Sequence, residues 1–333
     1  MSETDQALDS DSRTPTDVYE AIEREIGTVL VGNEAAIELL TVAVFTRGHL
    51  LVEGVPGVAK TTLANLFARA AGLEYRRVQM TPDVMPADIT GTHVYRENTG
   101  EFELQKGPVF TNLVVADEIN RATPKTQSAL LEAMAERRVS IEGETLALPE
   151  PFMVIATQNP IEMEGVFELP EAQRDRFQFK LTIDLPDRDE EIELLDRFDD
   201  DPELGPDSVD RVVDPETLVS AREFVSNVYV ARPVKEYVLD LVGETRDHPD
   251  TVHGASPRAS LTFMNGAKAL AAIRGREYVL PDDVKALAPS VLAHRLVLST
   301  EADLAAVDRT DVVADVVDAV TVPDASDVRA ASR

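Results

Sequence analysis

Apolar residues recur at helical spacing through residues 17–45, with one interruption at the polar stretch VGNE (31–34). The pattern then changes to a short continuous apolar run, HLLVEG (49–54), ending in glycine. A run of that length predicts a strand buried on both faces, as in a parallel sheet. Helical spacing returns in KTTLANLFARAAG (60–72), with Gly72 as the stop signal. Further strands are predicted in YRRVQM (75–80), TNLVVADE (111–118), FMVIATQNP (152–160) and QRDRFQFKLTIDLP (173–186). Among them, PKTQSALLEAMAER (124–137) opens with proline at a helical first turn and carries an apolar stripe. Two stretches read as hairpins of strand formers around turn residues: 87–108, turning at ENTG, and RVSIEGETLALP.

Strands alternating with helices predict an α/β domain with a parallel sheet covered on both faces, over about 17–198. From about 187 the pattern is helical: DRDEEIELLDRF, DPETLVSAREFVSNVYV, VKEYVLDLVGETRD, SPRASLTFMNGAKALAAIRG and PDDVKALAPSVLAHRLV. Several of these open on Asp or Ser caps. The expected organisation is an acidic disordered leader (1–16), the α/β core, a Pro- and acid-rich linker (199–209), an all-α domain (210–323) and a tail (324–333). No internal repeat is present.

Composition narrows the function classes. The 333 residues suffice for one large domain and a smaller one, and the 44% hydrophobic content is ordinary for a globular protein. No apolar run approaches the 18 or so residues of a membrane span, and the acidic N-terminus is the opposite of a signal peptide. A cytoplasmic protein is expected. Cysteine is absent, which removes disulfides, thiolate metal sites and a cysteine nucleophile. The five histidines show no ligand spacing and read as surface or internally satisfied residues.

Charge is the unusual bulk property: 61 acidic against 32 basic residues, a formal net charge of −29. The acids are spread along the chain, a surface style rather than an interaction tail. This resembles proteins of halophiles, where a Debye length of about 3 Å at molar salt screens the self-repulsion. A merely acidic protein is the plainer alternative. Nucleic acid as a nonspecific partner is disfavoured either way.

The candidate chemistry begins at EGVPGVAKTTL (53–63). A phosphate loop follows G-x-x-x-x-G-K-[ST]; Gly54, Lys60 and Thr61 fit, and Ala59 stands where the last glycine belongs. Such a loop aims successive backbone N–H groups and a helix N-terminus at phosphate oxygens. Residues Gly54, Val55, Pro56, Gly57, Val58, Ala59, Lys60, Thr61 and Thr62 would form it, with Lys60 on the β- and γ-phosphates of ATP and Thr61 offering a hydroxyl to Mg²⁺. Alternating backbone hands leave Gly57 and Ala59 both left-handed in this reading, a cost of about 1–2 kcal/mol at Ala59. The plain alternative is a tight strand-to-helix turn.

LVVADE delivers Asp117 to the carboxyl end of a buried strand, where open α/β sheets place ligands. Asp117 can hold Mg²⁺ and Glu118 can polarise an attacking water, although adjacent acids also occur at solvated strand ends. Asn159 in ATQNP stands at another strand end, Arg176 in LPEAQRDRF precedes a strand, and Arg258 in SPR opens a helix. Taken singly, these three read as an ordinary polar loop residue and ordinary arginines.

Taken in order, EGVPGVAKT, ADEINRA, TQSALLEAMAE, ATQNP, LPEAQRDRF and SPRA resemble the MoxR family of AAA+ ATPases over about 25–323. Alanine at the penultimate loop position is common in that family. The resemblance implies an α-β-α core with a β-hairpin inserted before the Walker B strand, an all-α lid, and a ring, usually of six copies, with ATP between neighbours. It assigns Lys60 and Thr61 to Walker A, Asp117 and Glu118 to Walker B, Asn159 to sensor 1, Arg176 to the arginine finger and Arg258 to sensor 2. Val31 and Gly32 match the adenine-side motif. One departure is Arg174, where an apolar residue is usual; Arg176, directly before the strand, is the expected finger, and Arg121 could also reach across an interface. The client implied is a protein with a von Willebrand factor A domain, and the work its maturation or metal-cofactor assembly. A nucleic-acid motor and a nucleotide-binding scaffold without turnover are the competing readings. The first is opposed by net charge and by an insert without a basic tract. The second is opposed by Glu118, Asn159 and Arg176 being present together.

Overall fold

The computed structural model describes residues 13–55, 57, 60–159 and 165–323. The readings of 1–12 as leader and 324–333 as tail fall outside them. Helix α1 (Pro15–Ile26) starts inside the segment read as leader. Its capping box explains why: the Thr14 hydroxyl accepts from the Asp17 N–H while the Asp17 carboxylate accepts from the Thr14 N–H, and Pro15 fixes the first turn. Arg13 also donates to the Val212 carbonyl at 2.7 Å, which ties this end to the C-terminal half.

Helix α2 (Glu34–Phe45) leads into β1 (Leu50–Glu53), α3 (Lys60–Ala70) and β2 (Tyr75–Gln79). A short helix α4 (Pro86–Thr90) precedes the hairpin β3 (Gly91–Arg96) and β4 (Glu101–Lys106). The hairpin is therefore narrower than the 87–108 expected, because Pro86 and the Asp88 carboxylate, which accepts from the Met85 N–H, turn its first residues into helix. Then follow β5 (Leu113–Asp117), α5 (Pro124–Glu136), the hairpin β6 (Arg138–Ile141) and β7 (Glu144–Ala147), β8 (Met153–Gln158), α6 (Glu171–Arg174) and β9 (Phe179–Thr182).

Five of these strands make one parallel sheet in the order β2-β5-β8-β1-β9. Side chains alternate across it. Leu50, Val52, Leu113, Val115 and Ile155 join the core that includes α1, α2 and α3, while Leu51, Val114, Ala116, Val154 and Ala156 join the core under α5. Burial on both faces is why these strands read as unbroken apolar runs. His49, at the start of β1, is buried; its Nδ1 accepts from the Val154 N–H at 3.0 Å and its Nε2 lies 3.2 Å from the Met134 carbonyl.

The C-terminal half comprises α7 (Arg188–Asp200), α8 (Pro215–Asn227), α9 (Arg232–Asp247), β10 (Thr251–His253), α10 (Pro257–Ile273), α11 (Pro281–Leu292), β11 (Val297–Leu298), α12 (Thr300–Leu304) and α13 (Arg309–Ala319). Buried residues of α8 to α11 and α13 belong to the same apolar cluster as α1 and α2. The segment read as linker starts within α7, and the chain after it is pinned to α3: the Val212 and Val213 N–H groups both donate to the Ala70 carbonyl. Helix α7 is the exception to this packing. None of its residues is buried, and Ile192, Leu195 and Phe198 face solvent.

Candidate functional site

Because the five strands run the same way, all their carboxyl ends lie along one edge of the sheet. That edge carries the loop after β1, Gln79 at the end of β2, Asp117 and Glu118 at the end of β5, and Asn159 just beyond β8. Strand β1 ends at Glu53, and Lys60 opens helix α3. Gly57 has φ +93°, the left-handed conformation expected of it, with no atom within 4 Å of where a Cβ would stand. Pro56, Val58 and Ala59 lie outside the described residues, and with them the expected left-handed Ala59. The Lys60 ammonium donates to the carbonyls of Gly54 and Val55. Partial burial lowers its pKa, and the nearby charges of Asp117 and Glu118 act in the opposite direction. Thr61 and Thr62 follow in the first turn of α3. Gly32, φ +68°, abuts α7 so closely that an added Cβ would stand 2.3 Å from Glu190 Oε1. The Val31–Gly32 turn and α7 thus flank each other.

The two acids are held differently. Asp117 is buried, 9% exposed, with Oδ1 accepting from the Thr157 hydroxyl at 2.5 Å and Oδ2 accepting from Arg77 Nε and Nη2 at 3.0 and 2.5 Å. Glu118 leaves the strand in the left-handed region, φ 57° and ψ 53°, which costs a residue with a Cβ about 1–2 kcal/mol. The turn aims its carboxylate back along the edge, where Oε2 accepts from Gln79 Nε2 at 2.6 Å and from Arg121 Nη1 at 3.1 Å. Its own N–H donates to Thr157 Oγ1 at 2.9 Å. Asn159 is 7% exposed at the same edge.

Arg77, Gln79 and Thr157 were not singled out from sequence. The signal for the first two was the polar alternation of YRRVQM beside otherwise apolar strands. It gains meaning only with the register, in which Gln79 pairs with Asp117.

The oxygen donors fit Mg²⁺, which prefers one or two carboxylates together with water and substrate phosphates. One buried carboxylate, Asp117, and the Thr61 hydroxyl are of the donor type that would suit it. Among the described residues no cluster of three or more His, Asp or Glu side chains forms a self-sufficient metal cage.

The arginines separate to two sides. Arg174, in the last turn of α6, lines a cleft of about 330 Å³ with Glu53, Asn159 and Lys180, on the side of the strand ends. Arg176, two residues on, lies at the amino edge of the sheet, where its Nη1 donates to the Leu131 carbonyl at 2.8 Å. There it shares a cleft of about 400 Å³ with His49, Arg137 and Arg258. Arg258 is exposed; its Nη1 is 3.8 Å from Asp175 Oδ2, which also accepts from the Ser256 hydroxyl at 2.9 Å. Arg295, almost fully buried, fixes the other Asp175 oxygen at 2.8 Å. Arg121 lies with Glu118, at the opposite edge from Arg176. A four-residue strand spans about 10 Å, so Arg176 is set below its own phosphate loop by the depth of the sheet.

Residues 49–179 match a family model described as the ATPase family associated with various cellular activities (AAA), and residues 243–316 match the AAA lid domain. Chaperone MoxR1 of Mycobacterium tuberculosis is 45% identical over 84% of this chain and 75% of its own length. Protein MoxR of Methylorubrum extorquens is 34% identical over 92% of this chain and 95% of its own length. A crystal structure from Cytophaga hutchinsonii, described as that of a candidate ATPase, aligns with a TM-score of 0.86 at 36% identity, covering 93% of this chain and 96% of that one.

Proposed function

The chain belongs to the MoxR family of AAA+ ATPases, and on that premise we propose that it hydrolyses ATP between neighbouring copies to remodel a client protein. The observation that carries this reading is the division of the chemistry between two edges of one sheet. Lys60, Asp117, Glu118 and Asn159 gather at the carboxyl edge, whereas Arg176 and Arg258 share a cleft at the amino edge. Arg176 cannot serve its own site, so both arginines are assigned to the site of the next copy. Each copy then offers acids on one face and arginines on the other, a head-to-tail arrangement that closes into a ring. Six copies is the number the family resemblance favours. The uncovered apolar positions of α7, beside the Gly32 turn, support a neighbour docking at that rim.

Phosphoryl transfer is mostly positioning and charge neutralisation. Backbone N–H groups of the loop and the Lys60 ammonium hold the phosphates. Thr61 and Asp117 would hold Mg²⁺, which supplies charge neutralisation to the bound phosphates. Glu118 orients and polarises the attacking water, and Asn159 fixes that water against the γ-phosphate. Arg176 from the neighbour balances the charge that develops in the transition state, a contribution on the order of 10³–10⁵ in turnover. Motion of lid and hairpin would pass the cycle on to the client. The hairpin presents Tyr95 and Phe102 to solvent with ring centroids 5.4 Å apart, an apolar grip on an otherwise polar insert.

The client in this proposal has a von Willebrand factor A domain, and the work is its maturation or metal-cofactor assembly. Both come from the family resemblance alone. We read the chain as a cytoplasmic protein of a salt-adapted cell, the salt adaptation resting on its acid-rich composition. Phosphate release from ATP by wild type, Lys60→Ala and Glu118→Gln tests the enzymatic reading. Wild type should turn over, Lys60→Ala should lose binding and Glu118→Gln should bind without turnover. Undiminished turnover in Glu118→Gln contradicts the role given to that residue.

A further inference from the structure

Arg77 touches Asp117 directly and reaches Glu118 through one intermediary. Its guanidinium donates twice to Asp117 Oδ2, at 3.0 and 2.5 Å, and Nη2 also donates to Gln79 Oε1 at 2.8 Å. Gln79 turns its amide N–H to Glu118 Oε2 at 2.6 Å. A single cation on the neighbouring strand therefore fixes both acids in one chain of hydrogen bonds. With the Gln79 oxygen engaged by Arg77, the amide nitrogen is left to face Glu118.

We propose that Arg77 is a positioning residue that holds Asp117 Oδ2 in place of the divalent cation and gives way when the cation arrives. The proposal rests on the ATPase reading above. Asp117 Oδ1 is committed to Thr157, deep in the sheet edge, so a cation approaching this carboxylate must use the Oδ2 side. There it meets a guanidinium of the same sign of charge, and the two cannot share that oxygen closely. Arg77 is the partner able to leave: its side chain is 49% exposed, against 13% for that of Asp117. Once it leaves, Gln79 Oε1 loses that donor, while Glu118 keeps its contact with Arg121. The Asp117 carboxylate is thus kept paired and oriented until the cation arrives.

Binding of a fluorescent ADP, titrated with Mg²⁺ at constant salt, tests this without turnover. Loss of a charge-assisted contact at a half-exposed site should lower the Mg²⁺ midpoint of Arg77→Ala about tenfold, with metal-free nucleotide affinity unchanged. Arg77→Lys should fall between, because an ammonium replaces the contact to Asp117 but not the fork that also reaches Gln79. Gln79→Leu should lower the midpoint by less than Arg77→Ala, since it removes one contact of Arg77 and leaves its bonds to Asp117. An Arg77→Ala midpoint within twofold of wild type, or above it, overturns the proposal while nucleotide binding stands. Failure of the wild type to bind ADP at any Mg²⁺ concentration overturns the ATPase reading, and this proposal with it.

Discussion

The Thr157 hydroxyl donates to Asp117 Oδ1 across the β5–β8 pair at 2.5 Å, and Thr157 Oγ1 in turn accepts from the Glu118 N–H at 2.9 Å. One buried hydroxyl on β8 thus sets both the Asp117 carboxylate and the backbone turn that aims Glu118. Thr157→Val keeps the shape and removes both bonds, leaving a buried carboxylate and a buried N–H short of a partner. The expected cost is about 1–3 kcal/mol of stability, read by denaturant unfolding, with at least a tenfold fall in phosphate release. A variant with unchanged stability and turnover would contradict this bridging role.

Acid should weaken the fold through His49. Full burial lowers its pKa from 6.5 to about 4. Its Nδ1 already accepts the Val154 N–H, so a second ring proton would point at a donor. Between pH 6.5 and 4 the unfolded chain holds this proton and the folded chain does not, so stability falls as pH falls through that window. From pH 7 to 5 the loss from this group is roughly 2 kcal/mol. His294, buried and shifted the same way, adds to it. Urea unfolding at both pH values should show a smaller drop for His49→Gln than for wild type. Equal drops would remove His49 as the cause.

Salt should matter more than usual. A net charge of −29 repels itself, and dilution from molar salt lengthens the screening distance from about 3 to 30 Å at 0.01 M. Dialysis into dilute buffer should therefore lower the melting temperature. An unchanged value sinks the salt-adapted reading and leaves a merely acidic protein.

Two substitutions probe the phosphate loop. Gly57 stands at φ +93° in open space, so Gly57→Ala is strained without any clash, by about 1–2 kcal/mol, and nucleotide affinity should fall by roughly tenfold. Ala59→Gly should be tolerated with little change in affinity, because several charge-assisted phosphate bonds of roughly 1.5–3 kcal/mol each outweigh any strain there. Calorimetric titration with ATP analogues reads both.

Much of this was legible because buried parallel strands leave continuous apolar runs, and β1, β5 and β8 were found that way. Their ends then located the phosphate loop, Asp117 and Asn159. Other features depend on relations that sequence spacing does not carry. Arg77 and Gln79 acquire a role only through the register that sets Gln79 beside Asp117. Nothing local announces that Glu118 turns left-handed. Arg174 and Arg176 are two residues apart, yet the end of α6 sends one toward the strand ends and the other to the amino edge. Helix α13, RTDVVADVVDA, was missed as an element because paired valines favour strands. Burial of Val312, Val313 and Val316 against the lid core overrides that preference.

The shared site is the central claim, and subunit mixing tests it most directly. Arg176→Ala lacks the arginine it would give to a neighbour, and Lys60→Ala lacks a competent nucleotide site of its own. Each variant alone should be nearly inactive in phosphate release. Once the two exchange subunits, intact Lys60 sites from the first come to face intact Arg176 from the second, and a fraction of activity should return, greatest at intermediate ratios. Exchanged mixtures that stay inactive at every ratio would contradict the account and assign the chemistry to a single copy.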